Sequence, residues 1–222
     1  MCGRFTLATA PEIVAEFFEL TAAPDLSPRY NIAPTQSASA ILLTPELAQR
    51  VFRPLRWGLI PGWAKDPTIG NRMINARAET AAEKPAFRSA FRQRRCLVVS
   101  DGFYEWKKGP GRKQPFYIRM RDDRPFAFAG LWEHWEADDG TGIDSCALLT
   151  TQPNNVLRPI HDRMPVILDR ANYDLWLDPT MADVDRLKPL LCPYRAEEMK
   201  AYLVGTRVNS PTRDDRACIE PA

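Results

Sequence analysis

The chain begins MCGRFT, which places a cysteine directly behind the initiator methionine. Removal of that methionine is favoured when the next side chain is small, so the mature chain is expected to run from Cys2 to Ala222. Its α-amine and thiol would then sit on adjacent carbons, a 1,2-aminothiol whose chemistry no internal cysteine shares. Three further stretches carry polar groups that local patterning does not account for. In MINARAET, alternation along an extended segment sends Asn75 and Arg77 to the same face. In SDGFYEWKK, Asp-Gly marks a turn and Glu105 lies between Tyr104 and Trp106, whose rings are expected to desolvate the carboxyl and raise its pKa. In RPIHDRMPVIL, His161 sits in a loop at the mouth of a strand, followed by Asp162 and Arg163. A nucleophile, two acid–base groups and an amide are the minimum set for covalent chemistry at a carbonyl. Ordinary roles stand beside this one: Asn75 can satisfy a loop, Glu105 can pair with Lys107, and His161 can be a hydrogen-bonded structural residue.

The elements that must position these groups are short. The chain has 222 residues, enough for one large domain or two small ones, and its 20 prolines favour brief elements joined by rigid loops. TAPEIVAEFFEL reads as a helix, with Thr9 and Glu12 as a capping box and Ile13, Phe17 and Leu20 on one face. YNIAPTQSASAILL reads as a loop running into a strand, and RVFRPLRWGLIPGWA as a strand and turn. EKPAFRSAFRQR reads as a second helix leading into the buried run CLVVS. PFYIRM, FAFAGLWEHW, SCALLTT and MPVIL are further strands. NYDLWL and ADVDRLKPLL are short helices, capped by Asp169 or nearby polar residues. Strands linked by turns rather than long helices predict a mainly antiparallel sheet. No linker divides the chain. The expected fold is therefore a single α+β domain over residues 2–222, with a barrel-like, strand-rich core and short peripheral helices.

Composition narrows the function classes. Five cysteines without a C-x-x-C spacing, and only two histidines, argue against a disulfide framework and a metal site, and no cofactor is expected. No apolar run approaches the roughly 18 residues a membrane span needs. No signal-peptide pattern opens the sequence, so a cytoplasmic protein is expected. A net charge of +2 permits a nucleic-acid partner without requiring one. The cluster Arg88, Arg92, Arg94 and Arg95 reads equally as a solvated helix face or a set of phosphate contacts.

The stretches MCGRF, RYNIAPTQ, RWGLIPGWAKD, NARAET, DGFYEWKK, LLTTQPN, IHDRMPVIL, WLDP and RVNSPTRDDRACIEP follow one another over nearly the whole chain. Together they resemble the SRAP family, the SOS response-associated peptidase-like proteins, with a slight departure at TTQPNN. The resemblance implies that Cys2 reacts with the ring-opened aldehyde of an abasic site in single-stranded DNA and closes a thiazolidine, giving a DNA–protein crosslink. It implies that Asn75 positions the N-terminus and sugar, that Glu105 moves protons during Schiff-base formation, and that His161 assists opening of the sugar ring and reversal. It also implies phosphate contacts from Arg4, Arg77 and Arg163 and stacking of Trp106 on a base; a monomer, nucleoid-associated when bound to DNA, is expected. Trp57 and Trp63 are weaker candidates for a wedge against duplex DNA. Two other readings remain: a cysteine peptidase that removes its own leading residue, built on Cys2, His161 and Asn75, and a non-covalent single-stranded DNA module that needs no reactive N-terminus.

Overall fold

Runs rich in branched and aromatic residues become twelve strands in the computed structural model, which describes residues 2–44, 49–109, 111 and 113–222. In chain order they are β1 (Arg4–Leu7), β2 (Arg29–Ile32), β3 (Ser37–Thr44), β4 (Gln49–Trp57), β5 (Asn75–Arg77) and β6 (Arg95–Ser100). These are followed by β7 (Gly102–Lys107), β8 (Gln114–Met120), β9 (Phe126–Glu136), β10 (Gly142–Thr151), β11 (Met164–Pro165) and β12 (Met199–Leu203). Strands β10, β4, β3, β6 and β9 pair in that order, and β9 pairs back with β10, which closes a five-stranded barrel. Closure leaves none of those five with a fully open edge along the ring. A second sheet, in the order β12-β8-β7-β1-β2, is antiparallel throughout. The expected α+β, mainly antiparallel, barrel-like fold is the one observed, with parallel pairing where β10 meets β4 and β5.

Two rings fix the second sheet to the barrel. Phe5 of β1 and Phe103 of β7 lie opposite each other in the ladder. Phe5 packs edge-on against Trp57 and Phe128, with centroids 5.0 and 5.8 Å away, and Phe103 meets the same Phe128 at 5.8 Å. Each buried ring contributes about 1.5–3 kcal/mol from burial alone. The chain's first strand and the strand carrying Glu105 are thus held rigidly to one core. Trp57 is fully buried and donates its indole N–H to the Ile74 carbonyl, so it is a core residue and no wedge, whereas Trp63 is 62% exposed.

Several local expectations change. Helix α1 (Pro11–Phe18) starts on Pro11 with Ala10 at its N-cap and no side-chain cap. The capping box fails because Thr9 gives both its N–H and its hydroxyl to the Asp101 carboxylate. Its buried residues are Val14 and Phe18, an i, i+4 pair, and Ile13 is 51% exposed. Tyr30–Ile32 belong to β2 rather than to a loop. MPVIL contributes only Met164–Pro165 as a strand, with Ile167 bridging Phe128. Asp169 caps nothing through its side chain and pairs with Arg195, while Asp183 provides the cap at Val184–Leu187.

The arginine cluster is partly internal. Arg94 pairs with Glu133 at 2.6 Å. Arg95 is 3% exposed, and its guanidinium donates to the carbonyls of Phe91, Arg92, Trp176 and Asp178. Burial pulls its pKa down to about 10, which still leaves it charged at neutral pH. Arg95→Met strands these carbonyls and is expected to lower stability by about 3 kcal/mol, read as the denaturant midpoint. Arg95→Lys is not expected to restore it, since one ammonium cannot span the fork.

Candidate active site

Three pairings bring the four expected chemical groups to one end of the barrel. Antiparallel pairing of Arg4 with Tyr104 sets the start of β1 beside β7 and hence Cys2 beside Glu105. Parallel pairing of β5 with β10 presents Asn75, and the β10–β11 ladder, Thr151 opposite Met164, carries the preceding loop with His161 to the same place. Asn75 Nδ2 donates to the Cys2 carbonyl at 2.8 Å. Its Oδ1 is buried with no hydrogen-bond partner among the described residues. His161 Nε2 lies 4.0 Å from Glu105 Oε2. Met1, whose removal is expected, lies outside the described residues.

Electrostatics follow from burial. Glu105 is 2% exposed, and desolvation lifts its carboxyl from the usual range to about 7. The expected shift is present, but not because flanking rings enclose it. Strand alternation sends Tyr104 and Trp106 to the opposite face, where they meet each other at 6.4 Å, while Glu105 shares its face with the core residue Phe103. Cys2 is fully buried. Burial first, and the Glu105 charge second, push its thiol far above the ordinary cysteine value. Its Sγ faces the Arg4 carbonyl at 3.6 Å. The His161 ring is shifted down by burial, so it is mainly neutral near pH 7. Nδ1 lies 3.0 Å from the Arg163 backbone nitrogen, 3.2 Å from the Arg163 carbonyl and 3.0 Å from Asp162 Oδ1, while Nε2 faces Glu105.

Asn75 donates to the Cys2 backbone carbonyl, and the His161 Nδ1 faces the Arg163 backbone. Of the residues expected to touch DNA, Arg77 is exposed at the end of β5. Arg4 is partly buried and already donates to Asn31 Oδ1 at 2.8 Å and the Val208 carbonyl at 2.6 Å. Arg163 makes a bidentate pair with Glu79, at 2.6 and 2.9 Å, and also reaches the Thr150 carbonyl. Trp106 gives its indole N–H to Asn209 Oδ1 at 2.8 Å.

Arg4, Glu105, Trp106 and His161 line a cavity of about 530 Å³ together with Lys108, Lys113 and Asn209, which the sequence did not single out. Asn209 arrives from the C-terminal segment. Fully buried Asn31 fastens that segment through the carbonyls of Val208, Ser210 and Arg213. Both Asn209 and Lys108 stand inside stretches that matched the family pattern, which was the available signal.

The SOS response associated peptidase (SRAP) family model matches residues 1–211. The abasic site processing protein YoqW of Bacillus subtilis is 44% identical over 224 residues, covering 99% of each chain. The abasic site processing protein HMCES of Xenopus tropicalis is 31% identical, over 86% of this chain and 65% of that one. A crystal structure of a protein from Bacteroides thetaiotaomicron superposes with a TM-score of 0.88 at 27% identity, covering all of both chains.

Proposed function

The chain belongs to the SRAP family, and on that premise we propose that it processes abasic sites, capturing them in single-stranded DNA through Cys2 once Met1 has left. A free α-amine has a pKa of about 7.7–8.0, so an appreciable fraction is nucleophilic near neutral pH. It adds to the C1 aldehyde of the opened deoxyribose, and the carbinolamine loses its hydroxyl as water to give an iminium. The Cys2 thiol then adds to that carbon, the thiol proton leaves, and a five-membered thiazolidine closes. One water is lost overall and no redox step occurs. Because the thiol is held beside the amine, ring closure is intramolecular, with effective molarities that reach about 10⁵ M in favourable cases.

The observation that carries this reading is Glu105 poised with a pKa of about 7 against a thiol that burial keeps protonated. A carboxyl in that range donates a proton to the departing hydroxyl in one step and accepts the thiol proton in the next. Asn75 holds the Cys2 carbonyl, and its buried Oδ1 has no partner among the described residues, which leaves an acceptor for a hydroxyl of the sugar once the site opens to it. Neutral His161, 4.0 Å from Glu105, completes a pair through which a proton passes from the C1 hydroxyl to the ring oxygen as the hemiacetal opens. The same transfer run backward assists reversal.

The protein should be incubated with abasic single-stranded DNA, undamaged DNA and a peptide panel. A heat-stable adduct is expected with the abasic strand alone, and a tag left in front of Cys2 should abolish it. Peptide cleavage without an adduct would support a peptidase, and binding that survives the tag without any adduct would support a non-covalent module.

A further inference from the structure

The hairpin between β7 and β8 carries the sequence KGPGRK over positions 108–113, three cations and no acid. Its last ladder pair is Lys107 opposite Gln114, and Lys108 and Lys113 are the next residue on either strand, at the root of the loop. Like charges brought to one loop root repel each other. Both lysines are exposed, and no hydrogen bond or ion pair engages either one among the described residues. Both also line the 530 Å³ cavity with Glu105 and His161. Of the other cations near this site, Arg4 donates to Asn31 and the Val208 carbonyl and Arg163 pairs with Glu79, while exposed Arg77 lies outside the cavity lining. An anion between the two lysines would relieve their repulsion without breaking any existing pair.

We infer that Lys108 and Lys113 form a two-lysine clamp for the phosphodiester backbone at the reacting nucleotide, and that they, rather than Arg4 or Arg163, supply much of the salt-dependent binding. The inference rests on the DNA reading above and names the element that grips the strand. A clamp of flexible ammonium groups suits a backbone of any sequence, because it reads charge and not bases.

The test uses the full chain and an undamaged single-stranded oligonucleotide, with affinity measured as salt is raised from about 50 to 200 mM. Each single-strand phosphate contact contributes about 0.7 to the slope of log affinity against log salt. The double variant Lys108→Ala/Lys113→Ala is expected to flatten the slope by about 1.4, so the parent loses about 7-fold more affinity across that range. Lys108→Arg/Lys113→Arg should keep the parental slope. The control Lys84→Ala/Lys188→Ala, with the same loss of net charge away from the cavity, should also keep it. A parental slope in the Lys108/Lys113 double alanine variant, or an equal flattening in the control, overturns the clamp. Adduct yield with abasic DNA is scored separately. If the parent binds with the expected slope but forms no adduct, covalent capture fails while the clamp stands.

Discussion

Cys2→Ala is expected to lose the heat-stable adduct with abasic DNA entirely while still yielding a product that borohydride can trap. Alanine leaves an N-terminal amine, and Met1 is still removed before so small a side chain. The amine therefore forms the Schiff base, but nothing closes the ring, and an open imine hydrolyses on heating. The thiol's position sharpens the expectation. Cys96, Cys146, Cys192 and Cys218 are internal residues, so none carries the N-terminal amine beside its sulfur that closing the ring needs. Cys2→Ser separates the thiol's nucleophilicity from its volume and should behave like alanine. A heat-stable product of parental yield from either variant would contradict ring closure by Cys2.

Glu105→Gln is expected to slow adduct formation by about 100-fold and, at the same time, to make the protein more stable. The sign follows from the raised pKa. The carboxyl titrates near 4.5 when unfolded and about 7 when folded, so the native state holds its proton more tightly. Its contribution to stability is fully present below about pH 4.5 and is lost as pH rises through about 7. At about 1.4 kcal/mol per pH unit of separation, the penalty at alkaline pH is on the order of 3 kcal/mol. Glutamine carries no charge and avoids it. Thermal melts of parent and variant should coincide near pH 4, diverge between about pH 4.5 and 7 and stay a constant distance apart above that, the variant melting higher. A variant that is less stable at pH 8, or that crosslinks at the parental rate, would remove Glu105 from its role as a desolvated proton carrier.

Much of this site was legible in the sequence because its groups stand in short, regular stretches. The alternation of Asn75 and Arg77 held, since β5 is extended and only Ala76 between them is buried. Glu105 was found with a correct consequence and an incorrect cause, because neighbours in sequence are not neighbours across a strand. The internal partners of Arg4 and Arg163 were hidden for a related reason. A guanidinium reads as a phosphate ligand until its internal partners are known, and Asn31, Glu79 and the Val208 carbonyl come from positions 27, 84 and 204 residues away. Arg95, one of four similar-looking arginines, proved to be a buried carbonyl clamp. Asn209 could not be assigned to the cavity without knowing that Asn31 anchors the C-terminal segment there. The barrel was anticipated from the density of short strands, but its closure depends on β10 pairing with both β4 and β9.

The most direct measurement is intact-mass spectrometry of the protein before and after incubation with an abasic single-stranded oligonucleotide, followed by fragmentation of the adduct. The expected starting mass lacks Met1. The expected product is the sum of that protein and the oligonucleotide less one water, with the modification confined to Cys2 and both its amine and thiol consumed. Retention of Met1 in a species that still crosslinks, or an adduct mapped to a lysine or to another cysteine, would contradict capture by an N-terminal aminothiol.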